Sequence, residues 1–278
     1  MLIPITLSER ALYCTLRLVS SSGICATGFI FQTNKGKTVV VSNRHFSEET
    51  DLDKLDWSKT EIEQDISFDI HLNDGQSINI KSKVKWFLHP SEDLSFFDLM
   101  VSLLKHEETI KPKQFLIHRC CDSMIPTQND LDKLSAIEEV KMIGYPVGLY
   151  DECNNFPLIR TGVTASHPAV DYNGKKMGVL DMACLNGSSG SPVFILNEGS
   201  YHNKDGGVLG DDRQFLLGIE NSNITIKTKN IYTKTVNPET GIEEFKKRED
   251  LYVSDDLNLG FYIKSSEIYG FSIFDEYF

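Results

Sequence analysis

Three side chains of this 278-residue chain, far apart in sequence, are of the types and in the local settings that acyl-transfer chemistry requires. The strongest local signal is Asn186-Gly187-Ser188-Ser189-Gly190-Ser191-Pro192. A hydroxyl nucleophile must project from a tight turn. Its own amide and that of the residue two before it can then converge on one developing oxyanion. Gly187 permits such a turn because no Cβ blocks the needed dihedrals. Ser189 is therefore the candidate nucleophile, with the amides of Gly187 and Ser189 as the oxyanion hole. Ser188 and Ser191 are the competing hydroxyls, and a plain Ser/Gly turn in a β protein is the alternative without chemistry. The second signal is the β-type run Val39-Val40-Val41-Ser42 followed by Asn43-Arg44-His45-Phe46. A general base must sit on a rigid element, face a cleft and titrate near neutrality, which suits His45. The third is Asp93-Leu94-Ser95-Phe96-Phe97-Asp98-Leu99-Met100-Val101. Asp98 follows two Phe residues and precedes an apolar run, so its carboxylate is expected to be partly buried and to need a partner. The imidazole N–H of His45 is the expected partner, with Asp93 as the runner-up acid. The chain order His, Asp, Ser is that of the chymotrypsin triad and differs from subtilisin and the α/β-hydrolases.

The elements that must hold these residues read as short strands. Examples are Tyr13 to Val19, Thr27 to Phe31, Thr38 to Ser42, Phe68 to Leu72, Ile78 to Val84 and Leu99 to Leu104. The series continues with Val140 to Gly144, Val179 to Cys184, Pro192 to Leu196, Phe215 to Ile219 and Leu259 to Ile263. They are rich in β-branched and aromatic residues and separated by turn residues, which predicts an all-β barrel or sandwich. Ser47 to Gln64 is an acidic surface excursion, and Ser265 to Phe271 is expected to form a short C-terminal helix. Asn197 to Arg213 and Thr225 to Asp256 are loop-like inserts. The second carries the charged run Glu243-Glu244-Phe245-Lys246-Lys247-Arg248-Glu249-Asp250, expected to be a solvated face.

Composition narrows the partners. The net charge of −12 repels phosphate backbones, so nucleic acid is not expected to bind. No apolar run is long enough for a membrane span, and the opening Met1-Leu2-Ile3-Pro4-Ile5 lacks the basic start and apolar core of a secretory signal. A cytoplasmic location and no membrane partner are the expectations. The six cysteines form no C-x-x-C pair, so neither a disulfide framework nor a zinc site is expected, and no metal or cofactor is implied. Cys120-Cys121 reads as two adjacent buried thiols, with a redox pair as the alternative.

These segments resemble bacterial trypsin-like and HtrA-type proteases. Ser42-Asn43-Arg44-His45-Phe46 resembles their T-N-x-H-V segment, and Asp98-Leu99-Met100-Val101 their D-[IL]-A-[VL] segment. Asp181-Met182-Ala183-Cys184-Leu185-Asn186-Gly187-Ser188-Ser189-Gly190-Ser191-Pro192 resembles D-A-A-I-N-x-G-N-S-G-G-P. Met142-Ile143-Gly144-Tyr145-Pro146-Val147-Gly148 is similar to the strand and turn opening the second barrel, and Asn258 to Ile263 to the closing strand. The resemblance covers about residues 10 to 270. It implies two six-stranded antiparallel β-barrels of the chymotrypsin type with the active site in the groove between them. The N-terminal barrel would span 1–110 with His45 and Asp98, a connection 111–135, and the C-terminal barrel 136–278 with Ser189, together one peptidase domain.

The resemblance further implies a serine endopeptidase acting through an acyl-enzyme. It puts Ala183 at the base of the pocket for the side chain before the scissile bond, beside Cys184. Gly218, Glu220, Asn221 and Ser222 fall on the strand that pairs with substrate backbone. Ala183 carries no charge; Glu220 either lines the pocket and restores a preference for basic side chains or faces solvent. Ser188 stands where digestive trypsins carry the Asp that pairs with a freed N-terminus, so activation by clipping is not expected. No PDZ-like segment follows the barrels. The expected partners are a protein or peptide substrate and a regulatory protein, with gating by Ser47 to Gln64 or Thr225 to Asp256. A role in stress or antiphage defence is an expectation by fold-level analogy. The alternative functions are a silent peptide-binding module and a non-peptide acyl hydrolase.

Overall fold

The computed structural model describes residues 3–104, 115–228, 231–236, 243–248, 253–271 and 274–277. Six strands build the N-terminal half: β1 (Thr15–Ser20), β2 (Cys25–Gln32), β3 (Thr38–Ser42), β4 (Glu61–His71), β5 (Ser77–Leu88) and β6 (Ser95–Asp98). They pair in the order β1-β4-β5-β6-β3-β2, and β1 also pairs with β2, which closes a six-stranded antiparallel barrel. A two-residue strand, β7 (Cys120–Cys121), adds parallel to β2. The C-terminal half holds β8 (Glu139–Gly144), β9 (Leu158–Thr164), β10 (Met177–Asp181), β11 (Pro192–Asn197), β14 (Arg213–Thr228) and β17 (Val253–Lys264). These close as β10-β17-β14-β11-β8-β9, again antiparallel. Numbered within each half, both barrels follow one circular order, 1-2-3-6-5-4. Two hairpins are inserted in the second: β12 (Tyr201–His202) with β13 (Val208–Leu209), and β15 (Ile231–Val236) with β16 (Glu243–Arg248).

Alternation along the strands divides the apolar residues among three clusters. Leu16, Leu18, Ile30, Val40, Phe68, Trp86 and Phe97 fill the first barrel. Val140, Met142, Leu180, Val193, Leu217 and Tyr262 fill the second. Phe29, Phe31, Val39, Val41, Phe96, Ile143, Phe194, Leu216, Ile219 and Ile263 form the wedge between them. The uninterrupted Val39-Val40-Val41 run is thereby explained: β3 is buried on both faces, Val40 inward and its two neighbours toward the other barrel.

Three expectations need correction. Leu99 to Leu104 is not a strand but helix α3 (Leu99–Leu104); the strand ends one residue earlier at Asp98. Leu99 and Leu103, four apart, face the first barrel's core while Val101 and Leu104 are exposed, the periodicity of an amphipathic helix that a run of apolar residues conceals. The expected terminal helix is a 3₁₀ segment over Ser265–Gly270, followed by the short α5 (Phe274–Tyr277). The excursion from Ser47 ends before Gln64, because Glu61 already opens β4. Within the connection, α4 (Gln128–Asp132) begins with a capping box from Thr127 to Asp130. The connection's first residues, 111–114, and parts of the Thr225 to Asp256 insert lie outside the described residues.

Candidate active site

His45 sits in the short helix α2 (Arg44–Ser47), which starts where β3 ends. Its neighbour Arg44 anchors that turn. The guanidinium is fully buried, donates to Glu48 Oε1 at 2.6 Å and to the His89 carbonyl at 2.6 Å, and also reaches the Asp56 carbonyl. The carboxylate that meets His45 belongs to Asp93. Asp93 Oδ1 accepts from the His45 amide at 2.7 Å, and Asp93 Oδ2 lies 2.7 Å from His45 Nδ1. Asn43 Nδ2 donates to the Asp93 carbonyl at 2.8 Å, locking the acid's own backbone to the base's segment. The Asp93 side chain is 4% exposed and the imidazole 21%. A carboxylate held on Nδ1 fixes that nitrogen as the N–H and leaves Nε2 as the acceptor.

Asp98 does not take this role. In the β3–β6 ladder Ser95 stands opposite Ser42, beside the histidine, whereas Asp98 stands opposite Val39. Three residues of extended strand carry it about 10 Å away from the base. Its Oδ1 instead accepts from the Val101 amide at 3.1 Å, capping α3. A sequence signal for Asp93 was present: Asp93-Leu94-Ser95-Phe96 matches the first two positions of the same D-[IL]-A-[VL] pattern, five residues earlier and leading into a strand rather than a helix.

Ser189 lies on the turn between β10 and β11. Gly187 and Gly190 both adopt left-handed backbone, φ +86° and +85°. Glycine is required at both on grounds of space as well. A Cβ on Gly190 would stand 2.0 Å from the Thr27 carbonyl, and one on Gly187 2.7 Å from that of Tyr145. The turn's internal bonds run from Ser188 N to the Leu185 carbonyl at 2.9 Å and from Ser191 N to the Ser188 carbonyl at 2.8 Å. The amides of Gly187 and Ser189 take no part in them. Carbonyls along the turn are clamped from outside: Asn186 by Val147 N at 2.6 Å, Gly187 by Thr27 Oγ1 at 2.9 Å, and Ser189 by Thr27 N at 2.9 Å. Strand β14 clasps the far side, with Gly190 N donating to the Glu220 carbonyl and Glu220 N to that of Ser191, each at 2.9 Å. The Ser189 hydroxyl reaches the Asn221 carbonyl at 3.5 Å, the long limit of a hydrogen bond.

His45 and Ser189 line one continuous cleft. On one side it is walled by Ile24, Cys25, Glu49 and Val147, on the other by Leu185, Glu220, Asn221, Ser222 and Asn223, with Thr50, Asp51 and Asn186 common to both. Glu220, Asn221 and Ser222 border the cleft. Gly218 and Ala183 are not among its lining residues, and Cys184 is buried beneath it. Glu220 does not face solvent. It is 1% exposed, and burial pushes its carboxyl up to about 8, with a hydrogen bond to Cys184 opposing the rise and the charge of Asp93 adding to it. Of the competing hydroxyls, Ser188 and Ser191 are fully buried. All six cysteines are free thiols. Cys120 is buried and pairs with Cys14, sulfur to sulfur 3.8 Å, rather than with Cys121. No cluster of His, Cys, Asp and Glu able to hold a metal ion occurs among the described residues, and none of their helices is long and apolar enough to cross a membrane.

No protein-family model and no curated protein sequence matches the chain. Among solved structures it is similar to Rv3671c from M. tuberculosis H37Rv, in a serine-to-alanine mutant of the inactive form. That match has 12% identity and a TM-score of 0.44 and covers 94% of this chain and 85% of the other. The inactive form of the Rv3671c protease gives 13% identity, a TM-score of 0.43 and coverage of 94% and 88%. Deg5 gives 15% identity, a TM-score of 0.46 and coverage of 77% and 81%. The assignment of fold rests on the strand topology: two closed six-stranded antiparallel barrels of identical circular order, with the cleft at their junction, give this chain the double-barrel fold of trypsin-like proteases.

Proposed function

We propose that the protein is a serine endopeptidase in which Ser189 is the nucleophile, His45 the general base and Asp93 the acid that orients the base. The observation that carries this reading is the two-point pairing of Asp93 with His45, at 2.7 Å to both the amide and Nδ1, in the cleft that also exposes Ser189. Such a grip selects the tautomer whose Nε2 can accept a proton, and it stabilises the imidazolium formed when it does. Ser189 Oγ then attacks the scissile carbonyl as its proton passes to His45 Nε2. The carbonyl oxygen becomes an oxyanion opposite the Gly187 and Ser189 amides. His45 returns the proton to the leaving amine, and water, deprotonated by the same nitrogen, releases the acyl group from Ser189.

The hydroxyl's contact with Asn221 in the unliganded state fits this sequence. Nucleophile-to-base bonds are often loose before substrate arrives, and a rotation of one side chain redirects Oγ. Peptides suit the site better than small esters, because β14 borders the cleft over Glu220, Asn221, Ser222 and Asn223 and offers backbone for an extended chain to pair with.

The test is labelling of the purified, unclipped chain with a fluorophosphonate. The expected result is one modified residue, Ser189, with no label on Ser189→Ala. Tight peptide binding without labelling would instead identify a silent peptide-binding module. Labelling with hydrolysis of esters but of no peptide would identify a non-peptide acyl hydrolase.

A further inference from the structure

Glu220 is an acid without a cation. In the β14–β17 ladder it stands opposite Tyr262, and partners across an antiparallel ladder share a face, here the interior of the second barrel where Tyr262 and Cys184 lie. The carboxyl bonds to the Cys184 thiol, and its second oxygen, Oε2, is buried with no hydrogen-bond partner. The one other charge that bears on it, Asp93, is of like sign. Among the described residues no Lys or Arg pairs with it, although Lys264, on the same closing strand as Tyr262, pairs with Asp171. Burying a carboxyl with one oxygen unsatisfied and no counter-charge is costly, and the natural remedy is a ligand that supplies both.

The position of that ligand follows from the surroundings. Glu220 borders the end of the cleft that also contains His45 and Ser189, and its backbone amide and carbonyl hold Ser191 and Gly190 on either side of the nucleophile turn. Cys184, which touches the carboxyl, lies five residues before Ser189 on the loop leading into that turn. Gly260 presents no side chain to this region, and a Cβ there would meet Cys184 Sγ at 2.2 Å. Gly260, the Cys184 thiol and the Glu220 carboxyl thus meet beneath the end of the cleft that Ser189 also lines.

On the reading that Ser189 cleaves peptides, we propose that Glu220 is the specificity-determining residue of the cleft and that it selects substrates whose side chain before the scissile bond carries a cation, lysine or arginine. The ammonium or guanidinium would take the unpartnered oxygen, so that the acid enters the cleft from strand β14 instead of from the loop position of Ala183. Glu220 gives up its proton as the cation binds, Asp93 supplies a negative charge that attracts the incoming cation, and the acidic Glu49 and Asp51 line the cleft beyond it.

Two measurements test this separately from the cleavage reading. The first uses peptides identical except for Lys, Arg, Gln or Leu before the cleaved bond. The ratio of kcat/KM for Lys over Leu is expected to be about 100 or more in the native protein and to fall at least about tenfold in Glu220→Gln, the size expected when a charged partner is lost from a buried site. An unchanged ratio overturns the proposal. The second needs neither turnover nor a variant at Glu220. Benzamidine, an aryl amidinium, is expected to raise the Tm of native protein and of Ser189→Ala by mass action, and its uncharged isostere benzamide is not. Equal effects of the two compounds, or none from either, overturn the proposal. A chain that labels at Ser189 but fails both measurements keeps the peptidase reading and loses this one. A chain that binds benzamidine selectively yet never labels keeps the cation site and loses the peptidase.

Discussion

At the scale of single residues, the identity of the acid is the sharpest question. Asp93 and Asp98 are five apart, yet one grips His45 at two points while the other caps a helix. Asp93→Asn is expected to lower kcat by about 10⁴, the cost of presenting the wrong tautomer to the nucleophile in the worked chymotrypsin case. Asp98→Asn is expected to leave kcat within about twofold of native, because a helix-capping acid is worth only about 1 kcal/mol of stability and touches no reacting group. Parallel kinetics on the two variants decide between them. Glu220 makes a second prediction, about pH. Its folded-state value of about 8 lies above the ordinary 4.5. Below 4.5 both the folded and unfolded chains hold the proton and the group is neutral in its effect. From there up to about 8 the unfolded chain has released it while the native state retains it, so stability falls steadily as pH rises. Asp93, Cys184 and Tyr262 are the titratable groups that face it, and none supplies positive charge. Glu220→Gln removes the dependence: Tm values of native and variant protein should coincide near pH 4 and part by several degrees toward pH 8, the variant being the more stable, in thermal melts across that range.

At the scale of elements, strand β2 does more than its sequence suggests. Thr27 donates its amide to Ser189 O and its hydroxyl to Gly187 O, accepts from Tyr145 N at 3.1 Å, and offers its carbonyl to Ser42 Oγ at 2.7 Å. One residue of the first barrel thereby holds Gly187 and Ser189 of the second and the end of the strand that leads into His45. Thr27→Val is expected to lower kcat about 10- to 100-fold with KM little changed, and Thr27→Ser to restore it, since a displaced oxyanion amide weakens the transition state more than substrate binding. A fall in stability without the kcat loss would reduce Thr27 to a packing residue. The strands themselves were largely legible, because turn residues and β-branched runs announce them. His45 and Ser189 each stand in a distinctive local string, and the structure brings both to one cleft. What misled was Leu99 to Leu104: six residues without a charge look alike as strand or helix, and reading them as strand drew the acid to Asp98 at their head. Thr27 could not be found from sequence, since its role lies in contacts with residues more than 100 positions away. Nor could the burial of Glu220, which follows from the register of β14 against β17.

At the scale of the whole molecule, the wedge between the barrels governs cooperativity. Phe29, Phe31 and Phe96 from one half interlock with Phe194, Leu216 and Ile219 from the other. Neither half can expose that face without losing a core, so the protein is expected to unfold in a single transition. Phe194→Ala should cost about 3–5 kcal/mol and lower both halves together. Urea melts followed by fluorescence of the buried Trp86 in the first barrel and by modification of the buried Cys184 thiol in the second would report the same midpoint. Two midpoints would mean that the halves are independently stable.

The shared strand order has a consequence for synthesis of the protein. In each half the final strand is inserted between earlier ones, and in the second that strand is β17, which joins β14 to β10. Until residues 253–264 have left the ribosome the second sheet is an open ribbon, and the wall opposite Glu220 is missing. A growing chain would carry Ser189 long before it carried a finished cleft. On the proposed peptidase reading, the cell would then be shielded from premature cutting by the order in which the polypeptide is made.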